Sequence, residues 1–196
     1  MLEKNNVNHN ILHDRKIAIL AVDGFDESQL FSPKKALEDA GAEVVIVSLN
    51  EGKIKSWDED HWGKSIKVDT TVSKSRAEEF DALVIPGGVV GPDTLRHDKK
   101  ALEFVSDFIN EGKSVASICH GTQVLMETGL TKGRVLTTWP SLKKDLISTG
   151  AKWKDDEVVA YKGIISSRCP HHNSKFNKLM VEGFSISPKC QKTPLH

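Results

Sequence analysis

Cys119-His120-Gly121 is where this chain could do chemistry. The three residues follow an apolar run, Ser114 to Ile118, and precede a segment, Thr122 to Thr128, with helical spacing. A residue at such a junction is held on a sharp strand-to-helix turn, which pushes its side chain out beyond the sheet edge. A thiol there can act as a nucleophile. The free N–H groups at the start of the following helix favour an anion, and such settings lower a cysteine pKa from about 8.5 into the range of roughly 3.5–7.5. The expectation is therefore a thiolate at neutral pH. Strand position alone allows a buried, inert cysteine equally well. His120, an imidazole that could orient the sulfur or accept its proton, tips the reading toward chemistry.

Two other clusters carry ligand-type residues. Cys169-Pro170-His171-His172 could suggest a metal, but the spacing is irregular and no second ligand pair accompanies it, so a loop opening the last helix is the expectation. Asp58-Glu59-Asp60-His61 reads as a solvated loop. No metal or cofactor is expected.

The elements needed to position Cys119 are legible as alternating apolar runs and helical patterns. Strands are expected at Lys16–Val22, Glu43–Ser48, Asp81–Ile85, Ser114–Ile118 and Val135–Thr138, with a late hairpin at Val158–Ala160 and Ile164–Ser167. Helical spacing covers the segment from Leu30 to Ala40, then Lys99–Glu111, Thr122–Thr128, Leu142–Ser148 and Asn173–Phe184, and several of these stop at a glycine. Asn50–Thr71 reads as a hairpin or irregular excursion, and Arg76–Phe80 as a short helical turn. The fold class that follows is α/β: one domain with a doubly wound, mostly parallel sheet sandwiched by helices. Ligands bind such sheets beyond the carboxyl ends of the strands. That directs attention to residues 23–29, 86–93 and 119–123.

The chain has 196 residues, with 27 Lys plus Arg against 27 Asp plus Glu. A single core of this size buries roughly 70% of the unfolded surface without a staple. The balanced charge gives no reason to expect nucleic acid or an anionic membrane as partner, and it permits self-association. Three separated cysteines, Cys119, Cys169 and Cys190, make neither a disulfide framework nor a Cys-x-x-Cys site, so a reducing compartment, the cytoplasm, is expected. The polar start has no apolar signal core, and no run approaches a membrane span. Residues 1–14 and 185–196 are expected to be flexible tails around a domain at 15–184.

Four segments in order carry a resemblance that spans Lys16 to about Leu179. They are Asp23-Gly24-Phe25-Asp26-Glu27-Ser28, Phe80-Asp81-Ala82-Leu83-Val84-Ile85-Pro86-Gly87-Gly88, Ala116-Ser117-Ile118-Cys119-His120-Gly121-Thr122-Gln123, and Ile165-Ser166-Ser167-Arg168. Together they resemble the PfpI-type intracellular cysteine peptidases of the ThiJ/PfpI superfamily, which also holds the Parkinsonism-associated deglycase and class I glutamine amidotransferase domains. The resemblance implies a flavodoxin-like fold, Cys119 as nucleophile and His120 as its adjacent histidine. It implies that the N–H groups of Gly88 and His120 form an oxyanion hole. Asp93 would come from a neighbouring subunit to orient the histidine, so the site would be completed in a homo-oligomer, a dimer or hexamer. Asp93 also has the residue type of a helix N-cap, and both roles stay open.

One departure bears on mechanism. Many members place a glutamate beside the cysteine, four residues before a proline, and this chain has Gln29 before Pro33. A glutamine can donate a hydrogen bond to sulfur but cannot exchange a proton at accessible pH. Asp26 or Glu27 is the nearest alternative carboxylate. The expected activity is hydrolysis of peptide or amide bonds. The alternatives are glyoxalase or deglycase chemistry on methylglyoxal or its adducts, and a non-catalytic stress or redox sensor.

Overall fold

In the computed structural model, which describes residues 10–190, seven strands form one sheet. β1 (Lys16–Leu20) lies inside it between β3 (Glu43–Ser48) and β7 (Ala82–Ile85). Beyond β7 come β8 (Ser114–Ile118), β12 (Ile164–Ser167) and β11 (Val158–Tyr161); beyond β3 comes β6 (Thr70–Thr71). Every pairing is parallel except β11 with β12. The expected doubly wound α/β sheet is what the chain forms.

The side-chain alternation of the central strands builds a core on each face. Ala18 and Leu20 of β1, and Leu83 and Ile85 of β7, point to one layer. Ile17, Ile19, Ala82 and Val84 point to the other. The first layer is closed by α2 (Val90–His97), α3 (Lys99–Asn110), α4 (Thr122–Glu127) and α5 (Lys143–Ser148), with Phe104, Val105 and Phe108 of α3 as its largest contribution. Asp98 caps α3 by accepting from the Ala101 N–H at 2.9 Å, which satisfies one of the orphan donors of the first turn. The second layer is closed by α1 (Glu27–Asp39) and α6 (Asn173–Ser185), through Leu30, Leu37, Phe176, Met180 and Phe184.

The excursion after β3 is a hairpin, β4 (Lys53–Asp58) with β5 (His61–Lys67), and β4 also pairs with the short β2 (Phe25–Asp26). The cluster Asp58 to His61 is its turn, where exposed Asp60 pairs with His61 at 2.9 Å. The strand expected at Val135–Thr138 stops earlier. β9 is Val135–Leu136, and it pairs with β10 (Lys152–Trp153) away from the main sheet. Thr137 leaves the ladder because its N–H donates to the Ser166 hydroxyl.

Within the tails expected at 1–14 and 185–196, the described residues are anchored at a few points; residues 1–9 and 191–196 lie outside the described residues. Leu12 is fully buried, and its N–H donates to the Ala40 carbonyl. At the other end Ser187 accepts from the Ser114 N–H and donates to the Asp81 carbonyl, while Arg15 donates to the carbonyls of Ser185 and Ser187. The carboxylate of Asp81, 1% exposed, takes the N–H groups of Lys16 and Cys190 and lies 3.7 Å from Arg15. The starts of β1, β7 and β8 and the end of α6 are thus tied at one buried charge pair. No helix among the described residues is long and apolar enough to cross a membrane. Asp81→Ala leaves Arg15 buried without its counter-charge, and chemical denaturation should show a loss of about 3 kcal/mol.

Candidate active site

The carboxyl ends of β1, β7 and β8 bring the site together. Ile118 ends β8 in extended conformation, and Cys119 then takes a left-handed backbone with φ of 55°. A non-glycine residue adopts that region only at a cost, which the surrounding structure must cover. Residues 119–121 form a 3-10 turn leading into α4. Gly121 fits because there is no space for a side chain: a Cβ would lie 2.5 Å from the Ile85 carbonyl oxygen and 2.8 Å from that of Pro86. The Thr138 hydroxyl donates to the Cys119 carbonyl at 3.0 Å and pins the turn from the other side.

Three groups reach the sulfur. His120 Nδ1 lies 3.2 Å from Cys119 Sγ. The backbone N–H of His120 points at it, and so does the side chain of Gln29. Gln29 is 1% exposed, and its Oε1 accepts from the Gly87 N–H at 3.0 Å. That bond settles the amide's orientation: oxygen to the backbone, NH2 to the sulfur. Pro33, inside α1, lacks the N–H that would otherwise bond the Gln29 carbonyl. Gly88 turns the following loop with φ of 103°, and a Cβ there would strike the Gly24 carbonyl oxygen at 2.6 Å and the Asp26 nitrogen at 2.8 Å.

Asp26 does not stand in for the missing glutamate. Its Oδ1 caps α1 by accepting from the Gln29 N–H and from the Ser28 hydroxyl. Its charge opposes a negative sulfur. Glu27 faces the hairpin, bonded to Ser56 and Lys64, and these partners hold its carboxyl down at about 2.

The expected thiolate is not the resting state of this site. Burial pushes the Cys119 thiol up to about 12, outweighing the hydrogen bonds from His120 and Gln29 that favour the anion. Burial also lowers His120, favouring the neutral imidazole. Sequence reasoning weighed the turn and the helix start, but α4 has only six residues. What decides is how deeply the sulfur is covered, at 6% residue exposure, and coverage comes from loops distant in sequence.

Asp93 is not an N-cap. Val89 holds that position, and Asp93 sits exposed in the first turn of α2. Among the described residues no carboxylate of the same chain contributes to the electrostatics of His120. Trp139 was missed by sequence reasoning. Its ring stacks on His120 with centroids 5.9 Å apart and planes at 30°, and it is 38% exposed. The available signal was that Trp139 follows a strand end, like the other site segments.

A family model described as DJ-1/PfpI matches residues 15–183. The chain belongs to the DJ-1/PfpI family. It is 43% identical over 164 residues to the Bacillus subtilis protein named "Putative cysteine protease YraA", covering 84% of this chain and 95% of that one. It is 41% identical to Deglycase PH1704 of Pyrococcus horikoshii (79% and 90% covered) and 36% identical to Protein/nucleic acid deglycase 2 of Escherichia coli (84% and 94% covered). Among solved structures, Drosophila melanogaster DJ-1beta superposes with a TM-score of 0.79 at 26% identity, covering 91% of this chain and 94% of that one. A two-domain Anabaena variabilis protein with DJ-1/ThiJ/PfpI-like and ferritin-like domains gives 0.82 at 31% identity; 92% of this chain covers 52% of that one, about half its length.

A DJ-1/PfpI cysteine held in this way should alkylate slowly at neutral pH. The reaction of Cys119 with iodoacetamide is expected to accelerate about tenfold per pH unit from 7 to 10. Mass spectrometry of the Cys119 peptide checks it, and a plateau below pH 8 would contradict the buried-thiol assignment.

Proposed function

We propose that this chain is a cysteine-dependent hydrolase acting on amide or peptide bonds. The observation that carries the reading is the contact between Cys119 Sγ and His120 Nδ1, 3.2 Å long, with Gln29 fixed as a pure hydrogen-bond donor beside it. Because the thiol rests protonated and the imidazole neutral, the proton leaves sulfur for Nδ1 as the S–C bond forms. The N–H groups of Gly88 and His120 are the proposed donors to the oxyanion, each worth about 3 kcal/mol in the transition state. The imidazolium then protonates the departing amine, and water hydrolyses the thioester.

His120 needs a carboxylate partner to stabilise its protonated form, and Asp93 of a second copy is the proposed source. Supporting this reading, Asp93 is exposed in the first turn of α2. Next to it Val89 and Val90 are 66% and 58% exposed, an apolar pair that a second copy of this chain could cover. The proposed assembly is therefore a homo-oligomer whose interface completes the site.

The second reading is deglycase chemistry, favoured by the names of the archaeal and Escherichia coli relatives. It uses the same nucleophile but asks a neighbouring acid to shuttle protons, which the Gln29 carboxamide cannot do. Cys119→Ala should abolish turnover of either substrate class while leaving the thermal melting temperature within a few degrees. Gln29→Glu separates the classes. On the hydrolase reading it leaves peptide or amide turnover unchanged or lower, and a rise in methylglyoxal-adduct turnover alone would favour the deglycase reading.

A further inference from the structure

Cys169 follows β12 closely, and β12 runs parallel to β8 with Ile165 opposite Ala116 and Ser167 opposite Ile118. Ile165, Ala116, Ile118 and Cys119 all join the core layer beneath α1 and α6. Strand side chains alternate, so Cys169, two residues past Ser167, is set toward that same layer. The ladder ends at Ser167 and Ile118, and Cys169 and Cys119 follow those two ends by two residues and by one. Neighbouring parallel strands lie about 4.8 Å apart, so the two cysteines leave the same end of adjacent strands, and a disulfide needs their Cα atoms roughly 4.4–6.8 Å apart.

Two contacts point the same way. A charge on Cys169 reaches Cys119 and disfavours its thiolate. The start of α6 also leans on the start of α1, where the Asn173 amide donates to the Ser28 carbonyl beside Gln29. Cys169 is half-buried, and its sulfur lies 3.4 Å from His172 Nδ1 and 3.8 Å from His171 Nδ1. Either imidazole can take the thiol proton.

We propose that Cys119 and Cys169 are a dithiol pair that closes to a disulfide when a hydroperoxide is the oxidant. The sulfur of Cys169, the more exposed of the two, attacks the peroxide; an S–O bond forms, the O–O bond breaks, and an alcohol or water leaves. Cys119 then attacks that sulfenic acid; the S–S bond forms, the S–O bond breaks, and the thiol proton and hydroxide depart as water. Two electrons pass from the thiol pair to the peroxide. A thiol reductant reverses the change. While closed, the bridge masks the nucleophile. The pairing does not depend on the amide-cleaving reading, because its readout is a peptide mass.

The test treats the reduced full chain with a small excess of hydrogen peroxide, blocks residual thiols with N-ethylmaleimide, and analyses tryptic peptides by mass spectrometry. The expected product joins the Cys119 and Cys169 peptides, lighter by two hydrogens, and dithiothreitol restores both thiols. The cross-link should persist in Cys190→Ser. In Cys169→Ser it should vanish. The proposal is overturned if both thiols stay fully alkylatable in the peroxide-treated wild type. It is equally overturned if Cys119 gains oxygen without a cross-link, or if the only cross-links join two chains.

Discussion

Everything at the site depends on one desolvated sulfur held on a left-handed backbone. The strain at Cys119 is sustained by the close approach of Gly121 to the end of β7 and by the Thr138 hydroxyl on the Cys119 carbonyl. The same tight fit that fixes the geometry removes water from the sulfur. Removing water from an ionisable group favours its neutral form, so precision of placement and ease of ionisation oppose each other here. The arrangement answers that conflict with local donors, the His120 N–H and the Gln29 amide, and with an imidazole at hydrogen-bond reach.

Gln29 shows how a single atom type shapes the chemistry. Its oxygen is committed to the Gly87 N–H, which leaves only donors facing the sulfur. A carboxyl in that place could pass a proton back and forth; the amide can only hold the sulfur's lone pairs. Of the two side chains beside the sulfur, only His120 can exchange a proton, and its ring is braced by Trp139. The proposed peptide-bond cleavage needs one proton carrier on the leaving-group side, and His120 is the candidate for it.

Most of the fold was legible in the sequence because apolar runs report burial directly. The boundaries of β3, β8 and β12 match the runs that suggested them, and so does the two-faced sheet. Val135–Thr138 was read as a longer strand because its composition suits one, yet Thr137 bonds a side chain across the fold, a contact that no local pattern encodes. The contact between Cys119 and His120 was also legible, the two being neighbours on a strand-to-helix turn. The thiol's protonation was not, since it follows from covering loops that meet only in three dimensions. The stack of Trp139 on His120 was hidden for the same reason: nineteen positions separate the two rings in the chain.

The buried pair of Arg15 and Asp81 has a consequence for the chain's two ends. It draws the segment before β1 and the segment after α6 to the amino-terminal edge of the parallel strands, with Ser187 and Cys190 beside it. Cys119 lies past the opposite edge. The segments 10–15 and 185–190 therefore sit together on the pole remote from Cys119. A short linker joining residues 10 and 190, with new ends opened in an exposed hairpin turn, would give a circular permutant whose seam stays clear of the site.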